Sequence, residues 1–486
     1  MLKELKEILF GVNIDSVYGD TNLSISGISF DSRQIKQNNI FIAIKGYDLD
    51  GHNYIDQSTN NGASVVVCEK LPKKINEYEI VFIKVKCSKT ALYTISSNFY
   101  GNPSSKIDLI GVTGTNGKTT ITSLLYKLFN NQGIKSGLIS TISIEYEEFT
   151  ENSKNTTPDP VLLNHHLNEM VKRNIKVCFI EVSSHGIKQK RVFGNDFKGI
   201  VYTNLTHDHI DYHKTFKDYR DTKKEVFDTL NKNSFALINI DDKNGKFMTQ
   251  NSSARVYTYS IKSKSNFSCR IVEQQLNGML LNIDNSEIWT KLIGEFNAYN
   301  VLAIYSVGKI YEIDSLNLLT NISELNSVQG RLQSFLSNRN VTVIIDYAHT
   351  PDAVENVLST INKIKKSNQN LITVIGCGGD RDKAKRSMIG KICSDLSYKV
   401  IFTSDNPRSE NPESIIKDIV SGVSNYNNNK ILIEIERSKA IEEAKKNSED
   451  GDIVLIAGKG HEDYQILKNK VIKFDDFKIA KKIFNK

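Results

Sequence analysis

Residues Ile107-Asp-Leu-Ile-Gly-Val-Thr-Gly-Thr-Asn-Gly-Lys-Thr-Thr-Ile121 decide the fold. The apolar run Ile107–Ile110 has strand length, a glycine-rich turn follows, and Ile121, Leu124, Leu125 and Leu128 then recur at helical spacing. Strand, glycine loop and helix in that order predict the phosphate-binding corner of a parallel α/β sheet. The strict G-x-x-x-x-G-K-[ST] pattern slips by one residue: Val112 stands where its first glycine belongs, and Gly111 precedes it. The physics tolerates the slip. Gly114 and Gly117 let the backbone approach phosphate and turn N–H groups toward it. Lys118 can reach the β/γ-phosphates, Thr119 can bind Mg²⁺, and the helix N-terminus adds partial positive charge. The pattern implies a nucleoside triphosphate and leaves the reaction open.

Working outward, apolar strands alternate with amphipathic helices. Val177–Ile180, Ile200–Tyr202 and Phe235–Ile238 are strand candidates, which predicts a parallel sheet. A polar stretch near 321–330 reads as a boundary, after which Val341–Ile345, Leu371–Ile375, Lys399–Phe402 and Asp452–Ala457 restart the alternation as a Rossmann-like unit. Upstream, Ile40–Ile44 and Ala63–Val67 are strand-length runs, and Tyr100-Gly-Asn-Pro-Ser-Ser105 gathers turn formers into a linker. At 486 residues the chain exceeds one hydrophobic core. We expect an α/β protein of three domains, 1–103, 104–330 and 331–486. The first is small and α/β, the second a P-loop parallel-sheet ATPase domain, the third Rossmann-like.

The net charge of +7 is spread along the chain, whereas a nucleic-acid binder would gather it into a stripe; no nucleic-acid partner is expected. Six cysteines without a CxxC pair read as reduced core thiols of a cytoplasmic protein. Charge interrupts the apolar residues of Met1–Phe10, so no secretory segment is expected. No run approaches the ~18 apolar residues of a membrane span.

The strand Val177–Ile180 ends in Glu181, where a carboxylate meets ligands at the open end of an α/β sheet and can hold Mg²⁺. The next strand ends in Thr203-Asn-Leu-Thr-His-Asp-His-Ile-Asp-Tyr-His213, whose His207, His209 and His213 match no zinc spacing. The following helix carries Phe216, Tyr219, Val226, Phe227 and Leu230 on its inward stripe. Lys223 falls on that stripe, while Lys224 points elsewhere. A buried Lys223 would offer a neutral amine able to take up CO₂ as a carbamate; the alternative is that it snorkels to solvent.

Taken together these residues resemble the Mur ligase family over nearly the whole chain. The resemblance implies that Gly114, Thr115, Asn116, Gly117, Lys118, Thr119 and Thr120 bind ATP, that Thr119, Glu181 and His209 serve Mg²⁺, and that Lys223 is the carbamylated lysine. Lys118, Glu181, His209 and Lys223 are thus the implied catalytic set. Gly294-Glu-Phe-Asn-Ala-Tyr-Asn300 resembles the family's ATP-contacting stretch through Asn297. Gln329-Gly-Arg-Leu332 and Asp346-Tyr-Ala-His-Thr-Pro351 resemble its third-domain motifs, with Arg331 and His349 near phosphate and Asp346 on the ribose.

Within the family three features look like the branch that adds a diamino acid to UDP-N-acetylmuramoyl-L-Ala-D-Glu. Asp31-Ser-Arg33 and Gly46–Gly51 resemble its UDP-binding first domain, which implies Phe30, Ser32, Tyr47, Asp48 and Leu49 as contacts. Thr156, Thr157, Ser184, Gln189 and Arg191 resemble its muramoyl-dipeptide contacts. Asp405-Asn-Pro-Arg408 resembles the signature of meso-diaminopimelate addition. That diamino acid carries a distal carboxylate, and Arg408 is a planar bidentate partner for it; the competing reading pairs Arg408 with Asp405 or Glu410. Asp405, Asn406, Pro407, Arg386, Gly458 and Glu462 match other pocket positions. The resemblance thus implies a soluble monomer acting on small molecules, which activates the D-Glu γ-carboxylate with ATP as an acyl phosphate and lets the amine attack. A lysine-adding or folylpolyglutamate-forming relative, a P-loop switch or motor, and an inactive scaffold are the rival readings.

Overall fold

The structure is a computed structural model that describes residues 2–46, 49–73, 75–424, 429–468 and 470–485, with Asp211 described by its backbone alone. Its centre is the strand Asp108–Thr113, buried on both faces as a near-continuous apolar run must be. Six parallel strands run in the order Ser136–Ile139, Val177–Glu181, Asp108–Thr113, Phe197–Tyr202, Phe235–Asn239 and Arg255–Ser260. The chain leaves Asp108–Thr113 toward one edge and later returns to its other side. The loops at the carboxyl ends of 108–113, 177–181 and 197–202 therefore diverge and open a crevice, where open α/β sheets bind ligands.

Helices cover both faces of this sheet. Ile121, Leu124, Leu125 and Leu128 of helix Lys118–Asn131 share one core with Val301 and Leu302 of helix Glu295–Ile310. On the other face, Leu163 and Leu167 of Pro160–Lys172 pack with Tyr219 and Phe227 of Phe216–Asp228. The sheet continues through an antiparallel meander, Phe267–Gln275, Gly278–Ile283 and Ser286–Thr290, which the sequence reading passed over. Helix Ser315–Glu324 runs into the polar stretch read as a boundary, because Leu318 and Ile322 bury against the central core.

A second sheet of five strands lies N-terminal, in the order Ile14–Tyr18, Val81–Val85, Ala63–Cys68, Asn39–Ile42 and Gly27–Ser29, antiparallel only at its first pair. A third, of six, runs Gln333–Leu336, Thr342–Asp346, Ile453–Ala457, Leu371–Ile375, Lys399–Phe402 and Ile431–Ile433; the first pair is antiparallel and the rest parallel. Among the described residues no helix is long and apolar enough to cross a membrane.

Candidate active site

The phosphate loop is clamped onto the end of the neighbouring strand. Thr115 N–H donates to Asn204 O (2.8 Å), Asn116 N–H to Asn204 Oδ1 (2.9 Å), and the Thr203 hydroxyl to Asn116 O (2.6 Å). Gly114 has φ +153°, and a Cβ there would lie 1.9 Å from Thr203 Oγ1, so only glycine fits. Lys118 Nζ donates to Gly114 O (3.0 Å) and Thr115 O (2.7 Å), and Lys223 Nζ donates to the same Gly114 carbonyl (2.8 Å). Lys223 is 1% exposed, and its helix begins at the Thr215 cap, whose hydroxyl accepts from Asp218 N–H. Tyr219, one turn earlier, lies under Nζ at 4.8 Å and bonds Thr115 Oγ1 at 3.0 Å. Burial, reinforced by Lys118, pushes the Lys223 amine well below its ordinary value; burial also lowers Lys118, against the opposing pull of Glu181 and Asp208. Lys224 does point elsewhere, yet it too is buried, paired with Asp228 and packed near Phe247.

Glu181 is fully buried at its strand end and accepts from Thr141 N–H (2.7 Å) and the Thr141 hydroxyl (3.1 Å), which also reaches Thr156 (3.1 Å). Thr157 bonds Glu181 O (2.8 Å) and Ser183 (3.0 Å), and Arg191 ties Thr157 O (2.7 Å) to Gln189 Oε1 (2.7 Å). The buried Ser184 hydroxyl has no hydrogen-bond partner among the described residues. Of the three histidines only His209 lines the cavity; His207 is exposed, and His213 is buried beside Asp218 (3.3 Å). His209 holds a left-handed φ of 54°, and burial, with His185 and two lysines nearby, pushes its imidazole down to about 3 against the pull of Asp208. Asp208 lies well below the carboxylate range: burial opposes this, but His209, Lys385 and His349 outweigh it.

Lys118, Thr119, Thr156, Glu181, Asp208 and His209 line one cavity of about 570 Å³ whose other wall comes from the C-terminal sheet, whereas Lys223, Thr157, Ser184, Gln189 and Arg191 are not among its lining residues. Asn297, Arg331, Asp346 and His349 all line it. Arg331 Nη2 donates to Thr119 Oγ1 (3.2 Å) and stacks on Tyr347. Asp346 is buried and accepts from the Leu332 and Ala348 amides, both at 2.7 Å, so its carboxylate also organises the turn that presents Arg331 and His349. Asn297 bonds Ile293 O and Asn300. Two residues here escaped the sequence reading. Asp352 accepts from Asn116 Nδ2 (3.2 Å) and the Thr206 hydroxyl (3.1 Å), and Lys385 pairs with Asp208 (3.0 Å). Asp352 was visible only as a carboxylate just past the Asp346–Pro351 motif, and Lys385 carried no signal.

The amino-acid set gathers at the carboxyl ends of the third sheet. Gly379 N–H donates to Asn406 O (2.9 Å), and a Cβ on Gly379 would sit 1.9 Å from Pro407 O, so the two loops meet backbone to backbone. Arg408 has φ 53°; its amide bonds Ile466 O and its guanidinium Gly379 O (2.7 Å). It makes no ion pair among the described residues, so the expected alternatives, Asp405 and Glu410, are both excluded as partners in this structure. Arg386 corrects an expectation. It is 1% exposed and committed to Glu410 (2.7 Å) and Asp418 (2.9 Å), which holds its guanidinium in the wall. Arg381, on the loop that leads into the helix Ala384–Leu396 carrying Arg386, is exposed and without an ion pair among the described residues. Asp405 lies beside Gly458, where a Cβ would come within 2.9 Å of Oδ2, and Glu462 accepts from Asn406 Nδ2 (2.8 Å). Phe30 and Leu49 are exposed and do not line the cavity. Ser32 turns its hydroxyl inward to Gln57 (2.7 Å), and Tyr47 and Asp48 lie outside the described residues.

Among the described residues no three His, Cys, Asp or Glu side chains gather as a metal cage. Mg²⁺ needs none: it binds through one or two protein oxygens plus phosphate oxygens and water. Thr119 Oγ1 and the buried Glu181 carboxylate, both lining the cavity, fit that requirement. The Lys223 ammonium does not, unless it is converted to an anion.

A triphosphate-type loop roofed by a second α/β sheet, with a cluster of charged side chains at the carboxyl ends of that sheet, defines a nucleotide-dependent, multidomain enzyme class. Family models match as the Mur ligase family catalytic domain over residues 24–100, the Mur ligase middle domain over 112–308, and the Mur ligase glutamate ligase domain over 330–460. The UDP-N-acetylmuramoyl-L-alanyl-D-glutamate--2,6-diaminopimelate ligases of Cytophaga hutchinsonii and Phocaeicola vulgatus are each 44% identical, across 99% of this chain and of theirs. A solved structure of a ligase with that name aligns over 100% of this chain and 99% of its own, at 29% identity and TM-score 0.69. MurF of Acinetobacter baumannii shares the fold, at 14% identity and TM-score 0.67 over 94% of this chain and 96% of its own. The chain belongs to the Mur ligase family.

Proposed function

We propose that the protein is an ATP-dependent ligase that joins meso-2,6-diaminopimelate to UDP-N-acetylmuramoyl-L-Ala-D-Glu in peptidoglycan synthesis. It would act in the cytoplasm, as a monomer built of domains 1–103, 104–330 and 331–486. The observation that carries this is full-length similarity to relatives bearing that activity in their names; the Arg408 guanidinium, without an ion pair among the described residues, agrees with a second carboxylate on the substrate.

Lys118 would turn from the Gly114 and Thr115 carbonyls to the β/γ-phosphates, with Arg331 approaching from the opposite wall. Thr119 and Glu181, with His209 beside them, would hold Mg²⁺, which when bound offsets charge on the transferring phosphoryl group. The D-Glu γ-carboxylate attacks the γ-phosphorus, giving an acyl phosphate and ADP. The diaminopimelate amine then adds to the acyl carbon, phosphate leaves, and the amine loses its proton. Burial keeps the Lys223 amine below its ordinary value, which suits carbamate formation and would supply a second anionic ligand. Thr156, Thr157, Ser184, Gln189 and Arg191 would orient the muramoyl dipeptide, and the first domain would take the uridine nucleotide. Arg408 and Arg381 would read the distal carboxylate, and Asn406 and Glu462 the distal ammonium, with Arg386 buttressing the wall.

The test is ADP release with UDP-N-acetylmuramoyl-L-Ala-D-Glu, Mg-ATP and either meso-diaminopimelate or L-lysine. Turnover that requires diaminopimelate and weakens in Arg408→Ala is expected. Preference for lysine, or ADP release needing neither amino acid, sinks the proposal.

A further inference from the structure

Behind the amino-acid set lies a cation that the mechanism leaves unused. Lys459 is 0% exposed, between Gly458 and Gly460 at the end of strand Ile453–Ala457. Its Nζ donates to Glu462 Oε2 (3.1 Å) and Asn406 Oδ1 (3.3 Å) and lies 5.5 Å from the centre of the Tyr464 ring. The same Glu462 oxygen accepts from Asn406 Nδ2 (2.8 Å), while among the described residues no donor reaches Oε1. Asn406 is fixed as well: its Oδ1 takes Lys459 and the Ile466 amide (2.9 Å), which leaves one N–H of its Nδ2 for a ligand.

The charges sort into pairs. Arg437 holds Asp476 (2.7 Å) and stands 4.0 Å from Asp405 Oδ2, so those carboxylates are answered from behind. Lys459 answers Glu462. Arg408, whose field reaches Tyr464 together with that of Glu462, and the exposed Arg381 are then the charges left for a ligand to meet. A ligand end bearing an ammonium and a carboxylate suits Glu462 Oε1 and Arg408 at once; an ammonium alone leaves Arg408 unanswered.

We infer that Lys459 is a specificity-determining residue: by cancelling the charge of Glu462 inside the protein, it sets the pocket to prefer a diamino acid whose far end bears a carboxylate as well as an ammonium. Removing Lys459 makes the pocket more negative by one charge, which draws a bare ammonium and repels a carboxylate. This rests on the diaminopimelate-adding reading above. The experiment compares kcat/KM for meso-diaminopimelate and L-lysine in wild type and Lys459→Met, with the KM for ATP as control. The ratio should shift toward lysine by about tenfold or more: diaminopimelate turnover falls, lysine turnover rises, and the KM for ATP stays within about threefold. A merely structural lysine would lower both substrates together, and that result, or an unchanged ratio, overturns the inference. If Lys459→Met does not fold, Lys459→Gln keeps a donor and removes the charge, and the same shift is required of it. A wild-type enzyme that ignores diaminopimelate would instead sink the proposed function itself.

Discussion

Replacing Arg437 with methionine should unfasten the C-terminal helix. Arg437 Nε and Nη2 bond the two oxygens of Asp476 at 2.8 and 2.7 Å, and Nη2 also reaches Ala457 O at 2.9 Å. Both side chains are 0% exposed. Methionine refills much of the arginine stem but leaves the Asp476 carboxylate buried and unanswered at the start of helix Asp476–Phe484. Breaking a buried pair from one side costs about 3–5 kcal/mol, and about 1.4 kcal/mol is a factor of ten. Amide hydrogen exchange across 476–484 should therefore accelerate by roughly two to three and a half decades, where it proceeds by opening of that helix. The double variant Arg437→Met/Asp476→Leu should recover most of the loss, because apolar replacement of a whole buried pair is close to neutral. Exchange in the single variant that changes by less than about tenfold, or a double variant no better than the single, would refute the reasoning.

Lys385→Met removes the ion pair to Asp208, which lines the cavity. A partly exposed pair contributes on the order of 1 kcal/mol, so the KM for ATP should rise about fivefold, and added salt should raise it in wild type but not in the variant; equal salt dependence in both would count against the contact. Lys223 gives a pH prediction. Its folded-state value is lowered, so between that value and about 10.4 the unfolded chain binds the extra proton and stability rises with pH. Urea titrations between about pH 7 and 10 should show that rise and lose it in Lys223→Met, whereas an identical slope in the variant would place the amine in water.

The phosphate loop was legible because glycine, lysine and threonine at that spacing have few other uses between a strand and a helix. The central strands Asp108–Thr113, Val177–Glu181, Phe197–Tyr202 and Phe235–Asn239 were legible because burial makes them apolar runs, whereas the short Ser136–Ile139 and the half-exposed Arg255–Ser260 were not. The meander 267–290 was not, since its first strand, Phe267–Gln275, is half exposed and mixes Arg270, Glu273 and Gln275 with few buried residues. Helical period put Lys223 on the inward stripe and left snorkelling open, the resemblance gave it a role, and the Gly114 carbonyl it bonds lies more than a hundred residues away. Arg386 was misassigned for the same reason. Arg381 and Arg386 are equally good guanidiniums in the sequence, and the arrival of Asp418 and Glu410 from other elements decides which is consumed by the wall. Asp352 and Lys385 matter only through the packing of one sheet over another.

The amino-acid set and its supports, Asn406, Arg408, Arg437, Lys459, Glu462 and Asp476, all hang from the third sheet and its hairpin Tyr464–Leu467 with Lys470–Lys473, whereas the cavity over Lys118 is shared between two sheets. Under the proposed function, choice of amino acid and handling of the phosphoryl group would thus be wired to separate parts. A lineage, or a designer, can exchange the contents of the first without retuning the second, in the way a lock takes a new cylinder in an old door.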